Sequence, residues 1–188
     1  DTDRSRGLGD VYKRQGQYGI RNVTVYGDTR FDRVLDVRNQ ARELPEFERF
    51  VGERCQTLIA GSSWPQDEEI LIPYFNEHPE MKLIIAPHEI HREHLMYIEA
   101  LLKRPSVRLS DVMQDKSLLE GKDCLIVDSF GLLSSIYRYG TIAYIGGGFG
   151  AGIHNTLEAA VYGIPVLFGP RFQKFKEARD LSLIHISE

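Results

Sequence analysis

The sequence predicts an α/β fold built on a doubly wound parallel sheet, and two observations carry that prediction. Five apolar runs of strand length recur along the chain, and stretches of helical character separate them. The runs are close to continuously apolar, the mark of strands covered on both faces rather than on one. Strands that alternate with helices pair in parallel, and right-handed crossovers then wind such a sheet outward in both directions. Size and composition agree: 188 residues, 42% apolar and 27% charged, suit one soluble domain with a core of its own.

The strands are read at 57–63 (TLIAGSS), 82–88 (KLIIAPH), 124–129 (CLIVDS), 141–147 (TIAYIGG) and 165–170 (PVLFGP), and the helices at 66–77, 91–104, 130–138, 155–162 and 173–180. This alternation is that of a Rossmann-like sheet. The two ends have another character. "SRGLGDVYKRQ" (5–15) and "SLIHISE" (182–188) resemble translated adapter read-through. Residues 1–15 and 182–188 are therefore set aside as non-native, and 16–181 is taken as one nucleotide-binding domain cut from a longer protein. The net charge of −4 speaks against a nucleic-acid partner, and no apolar run is long enough to span a bilayer. Cys55 and Cys124 stand apart, without metal or redox spacing, which suits a reducing compartment.

Ligands of open α/β sheets bind beyond the carboxyl ends of the strands. Small, polar or turn-forming residues stand there: Gly61-Ser62-Ser63, Pro87-His88-Glu89, Asp128-Ser129, Gly146-Gly147-Gly148 and Gly169-Pro170. Any one such loop is explained by turn and cap chemistry, but five together point to a site. Gly146 to Ala151 matches the dinucleotide fingerprint literally, yet follows a late strand instead of the first, and no Walker lysine pattern is present. The glycines are expected to be bare so that a phosphate and a carboxylate can approach backbone N–H groups. Asn155 and Glu158 admit two readings: a capping box, or a carboxylate that accepts hydrogen bonds from a ribose diol. His88, His91 and His94 recur every third residue. A helix turns about 600° in six residues, which places the outer pair on different faces, so they are read as surface histidines with no metal site. Trp64 is expected to pack the first strand-to-helix loop or to stack near a nucleotide.

"GGGFGAGIHNTLEAAVYGIPVLFGPRFQKFKEARDL", with "AGSSWPQDEEIL" and "YGDTRFDRV" upstream, resembles the C-terminal half of the 3-deoxy-D-manno-octulosonic acid (Kdo) transferases. These are two-domain glycosyltransferases of the GT-B type. The resemblance implies inverting, metal-independent transfer of Kdo from CMP-Kdo to a lipid A precursor, with no cofactor besides the donor. It implies that this half holds CMP-Kdo. The acceptor, the membrane contact and the glutamate that acts as general base would belong to an N-terminal half, at the cytoplasmic face of the inner membrane of a Gram-negative bacterium. A chain without that half is expected to bind donor and catalyse nothing.

Carried over residue by residue, the family's Asn-x-x-Glu matches Asn155 and Glu158, with Thr156 and Leu157 between. Its Pro-Arg pair matches Pro87 and His88, where a fixed cation has become a titratable ring, with Arg92 as a stand-in. Its Gly-Glu-Leu matches Gly131, Leu132 and Leu133, so a carboxylate is lost. Its transition-state cation matches Arg30. The implied donor contacts further include Ser62, Ser63, Gly147, Gly148, Phe149, Gly150, His154, Lys174 and Glu177. Lys174 and Lys176 could add positive potential where the leaving phosphate gathers charge, though a solvated helix face explains them as well. Two other readings stay open: another GT-B enzyme such as a UDP-sugar epimerase, and a non-catalytic nucleotide-binding domain.

Overall fold

The structure is a computed structural model that describes residues 36, 38–39, 41–52, 55–150, 152–175 and 178. Helix α1 (Pro45–Val51) starts on a proline at its first turn and stops at Gly52, whose φ is 66°. Strand β1 (Gln56–Ser63) leads into α2 (Pro65–Glu77), β2 (Met81–Pro87) into α3 (Arg92–Leu101), and β3 (Ser106–Arg108) directly into α4 (Leu109–Gln114). A 3-10 turn at Lys116–Leu119 then precedes β4 (Cys124–Ile126) and the short α5 (Leu133–Ile136), which runs on as a 3-10 turn at Tyr137–Tyr139. Last come β5 (Ile142–Ile145), α6 (Leu157–Ala160) and β6 (Val166–Phe168).

The strands form one parallel sheet in the order β3-β4-β2-β1-β5-β6. Leu58 of β1 stands opposite Leu83 of β2 on one side and Ile142 of β5 on the other. The winding direction therefore reverses between β1 and β5, and such a sheet opens its crevice at that point.

Strand residues divide strictly by parity, since successive side chains point to opposite faces. Ile59, Ile84, Leu125, Ala143 and Ile145 join Phe47 and Phe50 of α1, Val112 of α4 and Ile136 of α5 in one apolar cluster. Leu58, Leu83, Ile85, Ile126 and Tyr144 join Leu71, Ile72 and Phe75 of α2 and Leu95 and Ile98 of α3 in another. Both faces are thus covered, which is why the strands carry no polar alternation. Each fully buried Ile or Leu contributes about 1.5–3 kcal/mol.

The parallel α/β sheet with flanking helices is the one the apolar runs predict, with corrections at its margins. The sequence reading lacks α1, β3 and α4. Strand β3 has one apolar residue, Val107, between Ser106 and Arg108, too little for periodicity to register. The helix read at 91–104 stops at Leu101. That at 130–138 is divided into α5 and a 3-10 turn, and that at 155–162 has four helical residues. The strand reading at 124–129 shortens to three residues. Gln173 and Lys174 form a turn, and most of the helix read at 173–180 lies outside the described residues, as do both end segments.

Candidate functional site

The site is built where β1 leaves the sheet. The β1–β2 register shifts between Gly61 and Ser63, and Ser62 takes a φ of 52°, a left-handed conformation rare for a residue with a side chain. The bulge turns the Ser63 hydroxyl inward, where it donates to the Glu68 carboxylate at 2.8 Å. The next strand over is tied to the same turn. The Gly146 N–H donates to the Gly61 carbonyl at 2.9 Å, and a Cβ on Gly146 would lie 2.1 Å from the Ser62 carbonyl oxygen.

Two buried carboxylates at the start of α2 hold this arrangement. Asp67 accepts from the Trp64 N–H (2.9 Å), the Gly147 N–H (2.8 Å) and the Tyr144 hydroxyl (2.7 Å). It caps α2 and pins the entry of the glycine loop in one contact. Glu68 accepts from Ser63 and meets His94 Nε2 at 2.8 Å, while His94 Nδ1 donates to the Glu89 carbonyl at 2.8 Å. Because Nδ1 must donate there, Nε2 carries a proton only if the ring is cationic, so the Glu68–His94 contact shares a single proton. Burial raises the Glu68 pKa, against the bonds from His94 and Ser63 that lower it.

Above these anchors lies a stack of three rings. Trp64 and His88 are 4.5 Å apart between centroids with planes 21° apart, and His88 and His154 are 4.7 Å apart at 32°. Three buried polar side-chain atoms have no hydrogen-bond partner among the described residues: Trp64 Nε1, His154 Nε2 and Thr156 Oγ1. Burial holds the His154 pKa below the usual histidine value, the His88 ring adds to this, and Asp67 opposes it.

The loop then enters α6. The Leu157 N–H donates to Asn155 Oδ1 at 3.1 Å, and Asn155 Nδ2 donates to Glu158 Oε1 at 3.0 Å. Neither bond is that of a capping box: Asn155 takes the N–H two residues on, and Glu158 binds the asparagine's side-chain amide instead of its backbone N–H. On the other side of the rim, the Tyr137 hydroxyl lies 2.0 Å from where a Gly61 Cβ would stand, and Leu133 Cδ1 lies 3.0 Å from it. Burial chiefly raises the Tyr137 pKa, and the negative charge of Glu158 adds to it. Glu158, Leu133 and the exit of β1 thus share one end of the sheet.

No protein-family model matches the chain. It is 30% identical over 162 residues to the 3-deoxy-D-manno-octulosonic acid transferase of Rickettsia felis, a match covering 84% of this chain and 34% of that protein. It is 29% identical over 155 residues to the transferase of the same name from Chlamydophila psittaci, covering 81% of this chain and 34% of that protein. Its fold is that of the C-terminal CMP-Kdo binding domain of WaaA from Acinetobacter baumannii. The two superpose with a TM-score of 0.60 at 22% identity, covering 84% of this chain and 79% of that one. The chain belongs to the Kdo transferase family. It spans about a third of the length of the curated relatives it matches.

The positions that resemble the family's motifs are distributed unevenly about this rim. Ser62, His88, Gly147, Gly148, His154, Asn155 and Glu158 are brought together at the exits of β1, β2 and β5. Phe149 and Gly150 are exposed on the loop between them. Pro87, Thr156 and Leu157 are buried, and Ser63 is spent on Glu68, so its hydroxyl faces the core. Gly131 is exposed with a φ of 80°, and Leu132 and Leu133 pack against the core. Lys174 and Arg92 are exposed. Arg30, Lys176 and Glu177 lie outside the described residues.

Two expectations are corrected. Three of the loop's glycines are bare because the protein's own backbone lies against them. A Cβ on Gly147 would stand 2.3 Å from the Gly152 carbonyl oxygen, and one on Gly148 would stand 2.5 Å from the Gly169 backbone, as Gly146 is closed by Ser62. Gly150 is the one in this run that faces open space, with nothing nearer than Gln66 Oε1 at 3.9 Å. Nor are the histidines all superficial, for His94 is buried on Glu68 and His88 is half-buried in the stack. Glu89, His91 and His94 do bring ligand-capable atoms within 4.8 Å of one another. Both His94 nitrogens are engaged, however, and His91 Nδ1 accepts the His94 N–H while its Nε2 meets Glu89 at 3.2 Å. The cluster closes on itself as a hydrogen-bond network. The sequence reading missed Asp67 and Glu68, which stand in the run "DEE" and look like the solvated first turn of a helix.

Proposed function

We propose that this chain is the donor-binding part of a glycosyltransferase that moves Kdo from CMP-Kdo to a lipid A precursor. The observation that carries the reading is the polar rim at the β1/β5 reversal, where Trp64 Nε1 and His154 Nε2 are buried with no hydrogen-bond partner among the described residues, beside the Asn155–Glu158 pair. In this reading the Glu158 carboxylate accepts hydrogen bonds from the ribose hydroxyls, and Asn155 keeps it oriented. The rim nitrogens face the anionic part of the donor. The acceptor, its general base and the contact with the inner membrane's cytoplasmic face belong to the part of the family's length that this chain does not span. Among the described residues no helix is long and apolar enough to cross a membrane.

Transfer in this reading needs no metal, since a leaving group with a single phosphate can be met by protein donors. Titration of the chain with CMP and with UDP tests the assignment: CMP should bind saturably, and UDP at least tenfold more weakly. Equal or preferred UDP binding would overturn it in favour of a UDP-sugar enzyme. Repeating the CMP titration in EDTA should leave the affinity unchanged; a loss would overturn the metal-free reading.

A further inference from the structure

We propose that the Trp64–His88–His154 stack receives the phosphate of the donor by taking up a proton, so that nucleotide binding is coupled to histidine protonation. This rests on the donor-binding reading above and adds to it the means by which the anion is held. Two buried nitrogens of the stack lack hydrogen-bond partners among the described residues. Trp64 Nε1 can only donate, and it is buried with no acceptor among the described residues. Whatever satisfies it must bring an acceptor atom. His154 Nε2 is buried in the same condition. Phosphate oxygens are acceptors that would satisfy each of these nitrogens, the second most strongly if the ring is cationic.

Among the described residues, the cation on the glycine loop is Arg171, which is exposed and donates to the Gly150 carbonyl at 3.2 Å, and none is in contact with the stacked rings. From α2, Asp67 faces the stack, but it is spent on three donors, the Trp64 and Gly147 N–H groups and the Tyr144 hydroxyl. Glu68 is turned away to Ser63 and His94, Glu89 to His91, and Glu158 receives the Asn155 amide. A positive charge in contact with the stack itself is one made in place, on His88 or His154. Burial and the adjacent His88 disfavour charge on His154 in the free chain. A phosphate set against the rings reverses that preference, because an anion nearby favours the charged form. His88 is sandwiched, and the Trp64 face beneath it favours a cation above. The two histidines repel when both are charged, so one proton is expected, shared between them. An arginine at position 88 would hold the phosphate without any such linkage.

The test is calorimetry of the full chain with CMP at pH 7.5, where the nucleotide's own phosphate is already mostly dianionic. The titration is run in two buffers of different ionisation enthalpy. The expected result is uptake of about half to one proton per CMP, with affinity falling up to tenfold per pH unit above neutrality. Cytidine, which lacks the phosphate, should bind with no uptake. The His88→Gln/His154→Gln double variant should lose the uptake, and a melting curve checks that it folds. If it does not fold, histidine-ring NMR of the unaltered chain decides, and the His154 ring must titrate higher with CMP than without. Saturable CMP binding without proton uptake would overturn the coupling and leave the donor-binding reading standing. Uptake that persists in the folded double variant, or a His154 titration that CMP leaves unmoved, would overturn it as well. No CMP binding at any pH would overturn both.

Discussion

At the scale of single residues, the Asn155–Glu158 pair shows how one motif can serve two ends. Asn155 Oδ1 takes the Leu157 N–H, so the capping belongs to the asparagine. Glu158 touches the cap only through the Asn155 amide at 3.0 Å. A glutamine at 158 can still accept that bond, so Glu158→Gln should change stability by less than about 0.5 kcal/mol. It should nonetheless weaken CMP binding roughly tenfold to a hundredfold, the worth of one charged hydrogen bond. Asn155→Ala should cost about 1 kcal/mol in urea melts through the lost cap. Calorimetry beside denaturation separates these effects, and an unchanged CMP affinity in Glu158→Gln would confine Glu158 to the helix start.

At the scale of elements, the joint between β1, α2 and β5 depends on Asp67 more than on any apolar contact at the rim. Its carboxylate is 1% exposed as a residue and satisfies three donors from three places in the chain. Asp67→Ala would leave the Trp64 N–H, the Gly147 N–H and the Tyr144 hydroxyl without an acceptor in a buried setting. The variant should lose about 3–5 kcal/mol, since each orphaned buried group costs about 1–3 kcal/mol. A chemical-denaturation midpoint within experimental error of the parent's would show that water replaces the carboxylate and that the joint is not held this way.

This joint also marks where the sequence stopped being legible. The strands could be read because burial on both faces leaves an unbroken apolar run, a local signal. The strand exits could be read because turn residues are local too. Asp67 and Glu68 could not, because their partners are 77, 80 and 26 positions away at Tyr144, Gly147 and His94. Charged residues in a helix's first turn ordinarily face solvent. The glycines were visible as glycines, but not what lies against them. The close approaches of Gly146 to Ser62 and of Gly148 to Gly169 are tertiary facts. Edge strand β3 escaped because three residues hold no period.

At the scale of the whole molecule, the rim and the sheet are one cooperative unit, so a ligand at the strand exits should stabilise everything below it. CMP at a hundred times its dissociation constant should add about 2.7 kcal/mol to folding. For a domain of this size that is a rise of roughly 5–10 °C in Tm. The pH dependence has a definite sign. His154 has a folded-state pKa depressed by burial and by His88, so the fold favours its neutral ring. The stability this contributes is present above the unfolded histidine pKa and is lost as pH falls through that value toward the folded one. Thermal melts of the free chain should therefore decline from pH 7.5 to pH 5.5, and His154→Gln should flatten that decline. Proton-coupled binding predicts the opposite slope for the ligand: the Tm increment from a fixed CMP concentration should be larger at pH 6.5 than at pH 8. An increment that is constant over this range, measured beside the same acid decline in the free chain, would mean that the rings titrate but that the nucleotide is held by other groups.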